Sequence, residues 1–224
     1  MSFKSNIIIA FIISAFCLVC FSLIALLISD HKIAYFDSTI ISAVQGLESP
    51  TLTSVMKFFT FIGSTKMVII LSLLIMLFLY KVLHHRLELI LFTVVVLGAA
   101  VLNFLLKQLF HRVRPNLHRL IDISGFSFPS GHAMSAFALY GIVAFLLWRH
   151  IRSRWGRSLL LFISIFMILM IGISRIYLGV HYPSDIIGGY FASGFWLAIS
   201  IWFFQFYKEK RYNKKYKLGG GSNE

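Results

Sequence analysis

Three short polar islands interrupt an otherwise apolar chain: Lys107 through Arg114-Pro115, Pro129-Ser130-Gly131-His132, and Ser174-Arg175 followed by His181 and Asp185. Lys107, Arg114, Arg175, His132, His181 and Asp185 among them place three cations, two histidines and a carboxylate beside long apolar runs, where ionisable groups are costly and mark function by default. That inventory suits a phosphate.

Lys107 and Arg114 stand seven residues apart, two helical turns if the helix continues that far, so both side chains can point the same way. Arginine offers a planar fork for two phosphate oxygens and lysine a compact charge. Alone, this island is weak evidence, because cations at a helix end commonly reach to lipid headgroups. In the second island Ser130 suits an N-cap, Gly131 lets a ligand approach the backbone, and the helix start offers unpaired N–H groups at the positive end of its dipole. His132 then projects beside a bound anion, although an ordinary cap with an interfacial histidine reads the same way. In the third, Arg175 closes one helix, Pro183 suits the first turn of the next, and His181 and Asp185 face each other across the junction. A carboxylate on one ring nitrogen fixes the tautomer and raises the basicity of the other, which a nucleophilic imidazole requires; a purely structural His–Asp bond is the competing account.

The elements that must position these islands are membrane helices. Of the 224 residues, 58% are hydrophobic and 13% charged, with mean hydropathy +0.84. That lies far from the roughly 25% charged residues of soluble domains. Apolar runs at Ile7–Ile28, Met67–Leu83, Leu87–Leu106, Gly131–Trp148, Ser158–Tyr177 and Ile186–Tyr207 predict six transmembrane helices. The first begins after Lys4 like a signal peptide, but it is too long for an h-region and reads as a retained helix. Cys17 and Cys20 lie inside it and read as packing residues. Between Ser29 and Lys66, apolar residues recur at helical spacing on both sides of Pro50: Ile40, Ile41, Val44 and Leu47, then Leu52, Val55, Met56 and Phe59. They predict two short amphipathic helices in the first external loop, serving either as a cover on the bundle or as a lid at a substrate gap. The expected fold is therefore all-α, a single membrane domain over 1–218. Residues 219–224, of linker composition, form a flexible tail outside it.

The net charge of +13 is mostly topological, which argues against a nucleic-acid partner. Placing both termini in the cytoplasm gathers Lys4, Lys81, Arg86, Arg149, Arg152, Arg154, Arg157 and the tail cations Lys208, Lys210, Arg211, Lys214, Lys215 and Lys217 on the inner side. All three islands then fall on the external rim of a multi-pass cell-membrane protein.

At Lys107-x6-Arg114-Pro115, Pro129-Ser130-Gly131-His132 and Ser174-Arg175-x5-His181-x3-Asp185 the chain resembles the type 2 phosphatidic acid phosphatase superfamily of membrane lipid phosphatases, whose signature is shared with vanadium haloperoxidases. The resemblance covers most of the chain from Leu87 to Tyr207. It implies that Lys107, Arg114, Ser130, Gly131 and Arg175 hold the phosphate, His181 attacks it, Asp185 orients His181, and His132 protonates the leaving oxygen. His111, Arg112, His118 and Arg119 lie outside the signature and receive no catalytic role.

The expected substrate is a phosphorylated lipid held in the membrane: phosphatidylglycerophosphate first, undecaprenyl pyrophosphate second, with transfer of the phosphoryl group to another lipid as a further alternative. Its tail needs a gap between helices near the outer leaflet. No metal or other cofactor is expected, because phosphoryl transfer asks mainly for positioning and charge neutralisation, which the cations supply. The external acids Asp30, Asp37, Glu48, Asp122 and Asp185 do not cluster as magnesium ligands would, so activity is expected to persist in EDTA.

Overall fold

The computed structural model describes residues 3–81, 86–116 and 118–219. The expected tail from 220 onward, Leu83 at the end of the second expected span, and the side chains of Lys4, Arg86, Lys214, Lys215 and Lys217 lie outside that description. Eight helices follow in order: α1 Phe3–Ser29, α2 Ala34–Gln45, α3 Pro50–Ile62, α4 Thr65–Lys81, α5 Arg86–Phe110, α6 Gly131–Trp148, α7 Arg154–Tyr177 and α8 Pro183–Gly219.

Five of these, α1 and α5 to α8, are each long and apolar enough to cross a membrane. The second expected span divides differently from its sequence reading. At 17 residues α4 extends only about 26 Å, short of a hydrocarbon core of roughly 30 Å. Taken together with α3, across a bend of 54°, it is long and apolar enough to count as a sixth candidate span. Met56 and Phe59 are buried, whereas Val55 and, beyond α2, Leu47 face outward.

Serine caps fix the starts of three helices. Ser49 Oγ accepts from the Leu52 N–H at 3.3 Å with Pro50 at the first turn, Ser153 Oγ accepts from the Gly156 N–H at 3.0 Å, and Ser130 Oγ from the Ala133 N–H at 3.5 Å. Each such cap contributes about 1 kcal/mol. Phe92, Val95, Ala99, Leu139 and Ile142 form the buried seam between α5 and α6. A second cluster joins Met56 of α3 to Tyr177, Leu178 and Val180 at the α7–α8 turn. Gly179 makes that turn possible: its φ is +72°, and a Cβ there would lie 1.8 Å from the His118 carbonyl oxygen.

The bundle has two chemically distinct ends. At one, Glu88 of α5 accepts from Arg149 at the end of α6 and from Lys208 of α8, each at 2.9 Å, tying three helices together. Lys81, Arg152, Arg154, Arg157, Lys210 and Arg211 stand at the same end. The other end holds the C-termini of α5 and α7 and the N-termini of α6 and α8, and therefore all three polar islands.

Candidate active site

The α7–α8 junction supplies the imidazole–carboxylate pair. Arg175 sits in the last turn of α7, a five-residue connection follows, and Pro183 starts α8, so His181 hangs over the first turn that carries Asp185. His181 Nδ1 lies 3.2 Å from Asp185 Oδ2, which also accepts from the Tyr182 N–H at 2.9 Å. His181 is 2% exposed and Asp185 0%.

The other ring nitrogen decides the tautomer. His181 Nε2 is 3.0 Å from Arg114 Nη1, and a guanidinium only donates, so Nε2 accepts and Nδ1 carries the proton given to Asp185. Burial pushes the His181 imidazole well below its ordinary range, and Arg114, Arg175 and Lys107 push the same way, against the Ser127 carbonyl. The residue is a neutral imidazole with its lone pair turned toward the cations.

Those cations come from separate elements. Arg114 is held by the Gly125 carbonyl from Nε at 2.9 Å and the Val180 carbonyl from Nη1 at 2.8 Å. Burial draws its guanidinium below the usual arginine range, offset in part by Asp185. Lys107 Nζ donates to the Phe126 carbonyl at 3.0 Å. Arg175, 1% exposed, donates from Nη1 to Thr60 Oγ1, while its buried Nε has no hydrogen-bond partner among the described residues. A buried guanidinium N–H with no acceptor among the described residues is available to bind an anion.

The start of α6 completes the cradle. Asn103 Nδ2 donates to the Pro129 carbonyl at 3.0 Å, and the Ser130 N–H donates to the Asp185 carbonyl at 3.1 Å, so the second island is bolted to both α5 and α8. Ser130 thus spends its N–H on the scaffold and its oxygen on the cap. The first-turn N–H groups of Gly131 and His132 have no backbone acceptor within α6 and remain for an anion. The His132 ring lies beside the backbone of Thr60. Gly63 lets the α3–α4 bend come this close, since a Cβ there would lie 3.2 Å from the His132 ring and 2.5 Å from Ile171.

The eight residues singled out in the sequence therefore converge at one end of the bundle. Four others were not anticipated. Asn103 and Thr60 brace the second island, and Arg112 with Asp37 brace Asp185: Arg112 Nη1 donates to Asp185 Oδ1 at 2.7 Å and Nη2 to Asp37 Oδ2 at 2.8 Å. Arg112, given no catalytic role in the sequence reading, thus contacts Asp185 directly. Asn103 was detectable as a polar residue one turn before Lys107 in an apolar span, and Asp37 as an acid sharing a helix face with Ile41 and Val44.

Residues 88–209 match the profile of the PAP2 superfamily. Phosphatidylglycerophosphatase B of Bacillus subtilis is 31% identical over 174 residues, which is 76% of this chain and 84% of that protein. A putative undecaprenyl-diphosphatase of Escherichia coli is 41% identical over a shorter stretch of 66 residues, 30% of this chain and 29% of its own. The crystal structure of a transmembrane PAP2-type phosphatidylglycerolphosphate phosphatase from Bacillus subtilis superposes with a TM-score of 0.78 at 28% identity, covering 88% of this chain and 96% of that one. With the helix order and the anion-ready pocket, these matches establish that the chain belongs to the PAP2 superfamily and is a membrane lipid phosphatase.

Proposed function

We propose that the protein hydrolyses the terminal phosphate of phosphatidylglycerophosphate to give phosphatidylglycerol, through a phosphohistidine on His181. The observation that carries the chemistry is the buried His181, neutral, backed by Asp185 and facing three cations. The substrate reading rests on the Bacillus relative, which matches over most of both chains.

The phosphoryl group sits among Lys107, Arg114, Arg175, the Ser130 hydroxyl and the N–H groups of Gly131 and His132, which neutralise its equatorial oxygens. Its arrival turns Arg114 from His181 Nε2 to a phosphoryl oxygen and so uncovers the lone pair. Nε2 then attacks phosphorus in line, the bond from phosphorus to the lipid oxygen breaks, and His132 gives that oxygen a proton. The dianionic phosphate offsets the surrounding cations and favours the protonated His132 this step needs. Water, losing a proton to His132, then attacks phosphorus; the P–N bond breaks, and inorganic phosphate leaves. Both termini are cytoplasmic in this reading and the site faces outward, because the Glu88 end of the bundle collects the basic residues.

Purified protein in EDTA is expected to release one inorganic phosphate per phosphatidylglycerophosphate and to show an acid-labile, alkali-stable label on His181 after a rapid quench. Absence of the label during turnover, or activity that returns only with magnesium, would sink the mechanism. The match to the Escherichia coli diphosphatase supports undecaprenyl pyrophosphate as the second substrate reading. Comparison of kcat/KM for the two lipids in one detergent decides between them.

The pH dependence has a defined sign. His181 must be neutral to attack, and its proton affinity is depressed, so the acid limb of kcat/KM is expected well below the ordinary histidine value of about 6.5. Loss of the His132 proton in the substrate complex gives the basic limb of kcat. A flat response between about pH 5 and 9 contradicts this pairing of acid and base.

A further inference from the structure

Asp185 has two oxygens, and they are divided between two tasks. Oδ2 faces His181 Nδ1 and takes the Tyr182 N–H; Oδ1 takes Arg112 Nη1 at 2.7 Å. The same Nη1 donates to Ser184 Oγ at 2.8 Å, and Nη2 donates to Asp37 Oδ2. Asp37, 2% exposed, also accepts from the Ser184 N–H at 2.9 Å and from its hydroxyl at 2.7 Å. The Arg112 guanidinium lies over the Tyr182 ring, 4.1 Å from its centroid. Each group in this chain is anchored at two or more points, so the carboxylate plane of Asp185 is fixed from behind.

We propose that Arg112 and Asp37 are positioning residues of the hydrolysis: they hold the Asp185 carboxylate so that one oxygen is aimed at His181, and they make the nucleophile's orientation depend on the seating of α2. Neither is one of the eight residues singled out in the sequence, and Asp37 lies outside the residues 88–209 that match the family. The inference rests on the nucleophilic role assigned to His181 above.

Two physical facts separate this from a merely structural ion pair. A carboxylate this deeply buried keeps its charge only while compensated, and removing Arg112 takes away its direct cationic partner. And Asp37 takes the Ser184 N–H on Oδ1 and the guanidinium fork on Oδ2, so it ties Arg112 to the helix start that carries Asp185.

Arg112→Ala is expected to lower kcat about 10–100-fold with KM within about threefold, the usual cost of removing an outer partner of a working histidine. It should also move the acid limb of kcat/KM to higher pH, because a cation is withdrawn from a pair otherwise facing Arg114, Lys107, Arg175 and His132. Guanidinium ion should restore part of the rate, since a cavity of about 540 Å³ lined by Asp37, Arg112 and Tyr182 gives it access. The isosteric Asp37→Asn should give a smaller fall of the same kind, and Arg112→Ala should add little to Asp185→Asn.

An assay-independent check uses ¹⁵N-histidine spectra, with His181 assigned by its loss in His181→Gln: one Nδ1–H tautomer in the parent protein, mixed tautomers in Arg112→Ala. An unchanged tautomer, a loss confined to KM, an unmoved acid limb, or additive effects with Asp185→Asn would overturn the proposal. If the parent protein hydrolysed no lipid phosphate while the tautomer still depended on Arg112, the functional reading would fail and the positioning role would stand.

Discussion

His181→Gln is expected to abolish turnover, by at least about 10⁴-fold, the scale on which enzymes lose a catalytic nucleophile. Glutamine has no lone pair able to form a phosphoramidate of comparable reactivity, and it cannot pass a proton to Asp185 while presenting a nucleophile to phosphorus. The phosphate cradle should survive. Lys107, Arg175 and the start of α6 are held by Phe126, Thr60, Asn103 and Asp185 rather than by the imidazole. Inorganic phosphate should therefore still bind in calorimetry while lipid turnover disappears. A variant retaining more than about one per cent of kcat would require a different nucleophile, such as water attacking directly.

Asp185→Asn is the second large effect, up to about 10⁴-fold in kcat with KM little changed, by the logic of orienting carboxylates in nucleophile–histidine systems. Three donors now converge on this side chain: His181 Nδ1, the Tyr182 N–H and Arg112 Nη1. An amide has only one oxygen to receive them. Whichever way it turns, its own N–H₂ faces a donor, either Arg112 or His181 in the required tautomer. Facing His181, it favours the opposite tautomer, which puts a proton on the attacking nitrogen. The expected residue of activity comes from the cations and backbone donors, which the substitution leaves in place. A kcat within about tenfold of the parent protein would show that the His181–Asp185 bond is structural rather than catalytic.

The candidate site was legible in the sequence to the extent that its parts are local. Ser130 capping α6, Pro183 opening α8 and His181 four residues before Asp185 are short-range relations, set by caps, proline and the turn of a helix. The spans were legible for a similar reason, since twenty apolar residues leave few alternatives to crossing a bilayer. The amphipathic pattern between Ser29 and Lys66 also gave two helices, but not the role of the second. Length and hydropathy cannot show that α3 bends by 54° into α4 and brings Thr60 against Arg175 and His132.

Arg112 illustrates the limit most sharply. Its neighbours in sequence, His111 and Val113, reveal nothing of its partners, which lie on α2 and α8. The chain by itself determined which side chains could carry phosphoryl chemistry and on which end of the helices they stand, because those properties depend on residue type and on contacts a few positions apart. Only the tertiary structure decided how Asp185 is held against His181, since that hold comes from buried charges more than 70 residues apart in the chain, meeting where each compensates the desolvation of the other.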